Sequence, residues 1–121
     1  MTNLSFHHFI MSERMRKYIH ILRSLSRLSE ADKKKMIALC DRGLVDCFSE
    51  CAKNVLKGTV PLTPAQLRKL RRLKNNLRLL AIKKTSVRKK KKILQKGGFI
   101  GAIIPPILGI IGGLLGGYGS R

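Results

Sequence analysis

The stretch TPAQLRKLRRLKNNLRLLAIK, Thr63 to Lys83, carries the strongest helix signature in the chain. Thr63 can accept an orphan backbone N–H as N-cap. Pro64 suits the first helical position, where its missing N–H is not needed, and Gln66 can close a capping box. Leu67, Leu70, Leu73 or Lys74, Leu77 and Leu80 then recur at three- and four-residue spacing, which is the period of one helix face. Arg68, Arg71, Arg72, Asn75, Asn76 and Lys83 take the other side. The spacing predicts one long, basic, amphipathic helix from Pro64 to about Lys83.

Working outward, Ser86 can cap a short helix, Val87 to Gln95, that contains Arg88-Lys89-Lys90-Lys91-Lys92 and stops at Gly97-Gly98. Toward the N-terminus, Met15, Ile19, Leu22 and Leu25 mark a helix from Ser12 to Leu28, which Phe6, Phe9 and Ile10 extend or precede. Ser29 reads as the next N-cap, with Glu30 and Asp32 complementing the helix dipole. That second helix carries Met36, Ile37, Leu39 and Cys40, and Gly43 is its expected stop. A third helix, Leu44 to Lys57, has Cys47, Phe48, Cys51, Val55 and Leu56 as apolar positions and ends at Gly58. The fold class is therefore all-α. Residues 1–58 form a small multi-helix region for protein contacts, 59–98 a basic helical segment, and 99–121 a Gly/Pro-rich apolar tail.

Charge sets the function classes. The 121 residues hold 26 Lys and Arg against 6 Asp and Glu, a formal net charge of +20. All six acids (Glu13, Glu30, Asp32, Asp41, Asp46 and Glu50) lie in the first fifty residues. Fourteen cations crowd residues 68–96: Arg68, Lys69, Arg71, Arg72, Lys74, Arg78, Lys83, Lys84, Arg88, Lys89, Lys90, Lys91, Lys92 and Lys96. An ordinary solvated helix mixes both signs, and a surplus of one sign repels itself until a polyanion neutralises it. These fourteen are the candidate nucleic-acid-binding residues. No aromatic residue interrupts them, so stacking on single-stranded bases is not expected, and no zinc-finger or basic-zipper spacing occurs. An anionic membrane surface and an acidic protein are the other polyanions such a segment fits.

Beyond Gly98 the chemistry changes. Phe99 to Ser120, FIGAIIPPILGIIGGLLGGYGS, contains no charged residue. As a helix its 22 residues would reach about 33 Å, enough for a bilayer. Pro105-Pro106 is expected to break the helix at Ile104, and seven glycines weaken it further. The expected role is a contact surface for a partner protein or a membrane, carried by Phe99, Ile100, Ile103, Ile104, Ile107, Leu108, Ile110, Ile111, Leu114 and Leu115. Gly109–Gly113, Gly112–Gly116 and Gly113–Gly117 have the small-residue spacing that packs helices closely in lipid.

Little in the sequence points to catalysis. Cys40, Cys47 and Cys51 would share one face of an unbroken helix, but a zinc site wants closer ligand pairs and a fourth ligand. They read as small buried hydrophobes, and no metal or cofactor is expected. No phosphate-cradling Gly-rich loop, nucleophile–base pair or paired carboxylates stands out, so the chain is not expected to be an enzyme. With an odd cysteine count and no secretory start between Met1 and Met11, a reducing compartment is expected.

A basic stretch running through Ile93-Leu94-Gln95-Lys96-Gly97-Gly98-Phe99 into an Ile/Leu/Gly/Pro tail, preceded by Val60-Pro61-Leu62-Thr63, resembles the precursor core protein X family of adenoviruses. It also resembles small basic virion proteins of adenovirus-like elements of the Polinton/Maverick and adintovirus type. The likeness covers about residues 60–121. It implies a virion core or minor capsid-associated protein that packages double-stranded DNA inside a capsid, with the apolar tail docked on capsid protein. Virion and host nucleus are the expected location, and self-association is a separate expectation. The family's maturation protease prefers an aliphatic residue, any residue, then Gly-Gly. Ile110-Ile111-Gly112-Gly113 and Leu114-Leu115-Gly116-Gly117 fit that pattern, making Gly113 and Gly117 the implied cleavage positions. This chain is Lys-rich where the family is Arg-rich, and its first sixty residues have no counterpart there. The alternative from another class is a membrane-associated protein anchored by residues 99–120, with Arg88–Lys92 against anionic headgroups.

Overall fold

A computed structural model describes residues 13–111 and the side chains of residues 13–108. The described residues form seven helices and no strand: α1 (Glu13–Arg27), α2 (Glu30–Leu39), α3 (Arg42–Lys57), α4 (Pro64–Arg72), α5 (Lys74–Ala81), α6 (Val87–Leu94) and α7 (Phe99–Ile111). The all-α class follows. Phe6, Phe9, Ile10, Gly112, Gly113, Leu114, Leu115, Gly116 and Gly117 lie outside the described residues, as do the side chains of Ile110 and Ile111.

The helix starts are set by local chemistry. Ser29 Oγ accepts from Asp32 N at 3.1 Å, and Ser86 Oγ accepts from Lys89 N at 3.1 Å. Thr63 and Gln66 form a reciprocal capping box, with bonds of 3.1 and 3.0 Å. Gly58 ends α3 at φ 79, where its N–H donates to Asn54 O and Val55 O; a left-handed cap of this kind favours glycine.

Gly43 is not the stop of α2. That helix ends at Leu39, and Gly43 lies in the first turn of α3. Asp41 caps α3, accepting from Leu44 N at 2.9 Å, while the Tyr18 hydroxyl donates to the same carboxylate at 3.0 Å. A Cβ on Gly43 would overlap the Tyr18 hydroxyl. The glycine is there so that the ring can approach the backbone, not to end a helix.

The single helix expected over 64–83 is two helices. Leu73, at φ −100 and ψ 12, breaks it, at the place where the apolar stripe is ambiguous between Leu73 and Lys74. The break sends the two halves to different partners. α4 packs on α7, and α5 lies along α3 in the most extensive helix pair of the fold. Leu70 is buried from α4, and Leu77 and Leu80 from α5.

The largest departure concerns the apolar segment. Phe99, Ile100, Ile103, Ile104 and Ile107 are 0–2% exposed, and Leu108 packs against the same core. They face inward in α7, which lies on α1 and also touches α3, α4 and α6. The core cluster thus draws side chains from all three sequence segments, with Leu22, Phe48, Leu80 and Phe99 all in one body. Among the described residues no helix is long and apolar enough to cross a membrane. Helix α7 also runs through Pro105 and Pro106 rather than stopping at Ile104. Each interior proline costs about 3 kcal/mol or more. Burying five large apolar side chains contributes on the order of 1.5–3 kcal/mol each, so packing outweighs the lost backbone bonds.

The turn into α7 is held from α2. Gly98, at φ 80, donates its N–H to Glu30 Oε1 at 3.1 Å, and Gln95 Nε2 donates to Lys34 O at 3.0 Å. The Gly98 N–H, and secondarily Lys33, hold the Glu30 carboxyl below its ordinary pKa. The folded state therefore gains stability above the unfolded-chain value of about 4.3 and loses it as pH falls through the lower folded one. Glu30→Gln should remove this acid-limb dependence, seen as a converging pair of Tm-versus-pH curves for wild type and variant below that value. Phe99→Ala should cost roughly 3–5 kcal/mol in urea unfolding, and a chain ending at Gly98 should lose its cooperative thermal transition.

Candidate nucleic-acid interface

The fourteen cations of residues 68–96 separate into two groups once folded. Twelve are exposed: Arg68, Lys69, Arg71 and Arg72 on α4, Lys74 and Arg78 on α5, Lys83 and Lys84 in the connection, Arg88, Lys89 and Lys92 on α6, and Lys96 beyond it. Lys90 and Lys91 turn inward. Lys90 is 5% exposed and donates from Nζ to Ser49 Oγ at 2.9 Å. Lys91 Nζ donates to Cys40 O at 2.9 Å and Ala38 O at 3.1 Å, closing the carbonyl end of α2 with a cation that suits the helix dipole. These two lysines are engaged inside the fold, so the outer cationic surface is made by their neighbours. Lys96 Nζ donates to Asn76 Oδ1 at 3.3 Å, which ties the end of α6 to the start of α5 while leaving Lys96 at the surface.

The acids explain why so much cationic charge is left uncompensated. Glu30 holds Gly98 and Lys33, the latter at 3.3 Å. Asp41 caps α3 and takes the Tyr18 hydroxyl. Glu50 pairs with Arg14 at 3.2 Å, and Asp46 sits 4.0 Å from Arg42. Glu13 and Asp32 lie in the first turns of α1 and α2, where carboxylates favour the helix dipole. None of the described ion pairs involves a cation from residues 68–96.

A second cationic feature was not singled out from the sequence. Arg14 from α1, Arg42 and Lys53 from α3, Lys83 from the α5–α6 connection and Lys90 from α6 line one groove of 410 Å³. The signal for its α3 wall is spacing: residues 42, 46, 49, 50 and 53 fall on one helix face. Burial pushes the Lys90 ammonium below the ordinary lysine range; Asp46 opposes the shift, and Lys53 and Arg42 add to it.

The cysteines are free thiols. Cys47 and Cys51 are buried in α3, and Cys40 follows the end of α2 with its thiol directed to Ile37 O at 3.2 Å. Burial raises the Cys40 pKa; the hydrogen bond that the Cys51 thiol donates to Cys47, and then burial, raise that of Cys51. Among the described residues no group of three or more His, Cys, Asp or Glu could hold a metal ion. No protein-family model, curated protein or solved structure matches this chain.

The Lys90 shift fixes the sign of a pH effect. Its folded pKa is lowered, so the unfolded chain binds the extra proton between that value and the ordinary ~10.4, and stability rises with pH across the window. Below it the full cost of burying the charge is present. Lys90→Met should therefore raise Tm at neutral pH, with the advantage over wild type shrinking as pH climbs toward the unfolded lysine value.

Proposed function

We propose that this protein binds nucleic acid through the phosphate backbone, without reading sequence and without catalysis, and so neutralises and condenses duplex DNA. The observation that carries this reading is the set of twelve exposed Lys and Arg between Arg68 and Lys96, in a chain with no acid after Glu50. Such a surface gains affinity by releasing condensed counterions; about ten neutralised phosphates give a log–log salt slope of roughly −9. The segment has no aromatic side chain for base stacking, which favours duplex over single strands. A virion core role in DNA packaging rests on the family resemblance alone. The membrane reading is disfavoured by the placement of Phe99, Ile100, Ile103, Ile104 and Ile107 inside the core.

Salt titration of full-length protein with duplexes of unrelated sequence tests this. The expected result is equal affinity for all duplexes and a steep salt slope. Replacing Arg68, Lys69, Arg71 and Arg72 together by Gln should make the slope shallower by roughly 3 to 4, at ~0.9 per phosphate lost. An unchanged slope, or binding to anionic vesicles with none to duplex, overturns the reading.

A further inference from the structure

We propose that the groove between α1, α3 and the start of α6 is a phosphate-binding site, distinct from the exposed basic surface and sharing only Lys83 with it. Its volume of 410 Å³ lies within the range of small-molecule pockets, about 300–1,000 Å³. Five cations line it, Arg14, Arg42, Lys53, Lys83 and Lys90, against two carboxylates, Asp46 and Glu50. The carboxylates are engaged with Arg42 and Arg14, so the surplus charge is that of the three lysines. Among the described residues Lys53 and Lys83 have no ion-pair partner.

Lys90 is the decisive group. Its ammonium is buried, and among the described residues its one acceptor is Ser49 Oγ at 2.9 Å. Ser49 spends its own proton on Val45 O at 3.2 Å. An ammonium has three N–H donors, so two are left for a ligand in the groove. Thr85 and Val87 also line the groove, which places there the positive end of the eight-residue helix α6, an arrangement that favours anions. The lowered pKa of Lys90 under burial and under Lys53 and Arg42 is the state an incoming anion would relieve. A phosphate group carries both the negative charge and the several acceptor oxygens that such donors call for. It can belong to a nucleic-acid strand or to a free polyphosphate.

The test is an amide-shift titration of the ¹⁵N-labelled full chain with sodium pyrophosphate at constant ionic strength, and in parallel with a short DNA duplex. Pyrophosphate should give saturable shifts at Ser49, Lys53, Lys83 and Lys90. Lys90→Met, which keeps the apolar stem, should weaken pyrophosphate binding roughly tenfold or more, since it removes a charged hydrogen-bond donor. A Lys53→Ala, Lys83→Ala double variant tests the same groove without altering a buried position and should weaken it several-fold. Arg68→Gln with Arg72→Gln, outside the groove, should leave pyrophosphate affinity unchanged while lowering duplex affinity. Duplex-induced shifts at the same four residues assign the site to strand phosphate; their absence, with pyrophosphate shifts present, assigns it to a free polyphosphate. Absent or non-saturating pyrophosphate shifts, or wild-type affinity in both groove variants, overturn the proposal without touching the reading of the α4 surface.

Discussion

Burial of α7 among α1, α3, α4 and α6 is the contact on which the rest of the structure depends. A chain of net charge +20 carries self-repulsion that opposes any compact state. The basic helices offer only a narrow apolar stripe, because most of their other positions are Lys or Arg: α4 buries Leu70 alone, and α6 buries Ile93 and Leu94 beside Lys90. Such stripes bury little on one another, and the broader apolar face of α3 is already engaged with α5. Helix α7 is apolar on every side and fills the space between them, with Phe99, Ile103, Ile104 and Ile107 each at or below 1% exposure. A helix hydrophobic all round has two homes, a bilayer or the middle of a protein. Here the surrounding stripes make the second available.

The few carboxylates then have a structural assignment instead of a neutralising one. They cap helices, hold the α6–α7 turn and pair with α1 and α3 cations, all on the side of the chain where helices need N-terminal negative charge. Two lysines of the basic run are drawn into the same work, Lys91 at the carbonyl end of α2 and Lys90 against Ser49. What remains outside is cationic by subtraction. Fold and surface are thus two results of one allocation: the polar groups that can satisfy backbone ends are used for that, and the excess of one sign is left facing solvent.

How much of this was legible depends on the range of the interaction. The caps at Ser29, Thr63 and Ser86 were readable because a hydroxyl and an amide three residues on are all the geometry requires. Gly43 misled because a glycine next to a helix break has two readings, and only the Tyr18 ring, 25 residues away in sequence, selects one. The break at Leu73 was visible only as an ambiguity in the stripe; which half turns where is decided by α3 and α7. Lys90 could have been flagged, since positions 87, 90, 93 and 94 share a helix face and the run of five cations cannot all point outward from one helix. The apolar segment was the hardest. Its composition is the same for a membrane span and for a central helix, and the choice rests on long-range packing that no local pattern encodes.

The placement of α7 also bears on how charge and fold act on each other. With the apolar segment inside, the α4 surface that Arg68, Lys69, Arg71 and Arg72 present is positioned by α4 packing on α7, and the α6 surface by the Gly98–Glu30 turn that starts α7. A polyanion bound to these cations lowers the repulsion that the core must overcome. By linkage it stabilises the folded state in proportion to its differential affinity for it. The apolar and basic parts of the chain thus share one core, in which Leu70, Leu80, Leu94 and Phe99 all lie. The uncharged helix holds the charged ones in place, and neutralising the charged ones relieves the repulsion that its packing must outweigh.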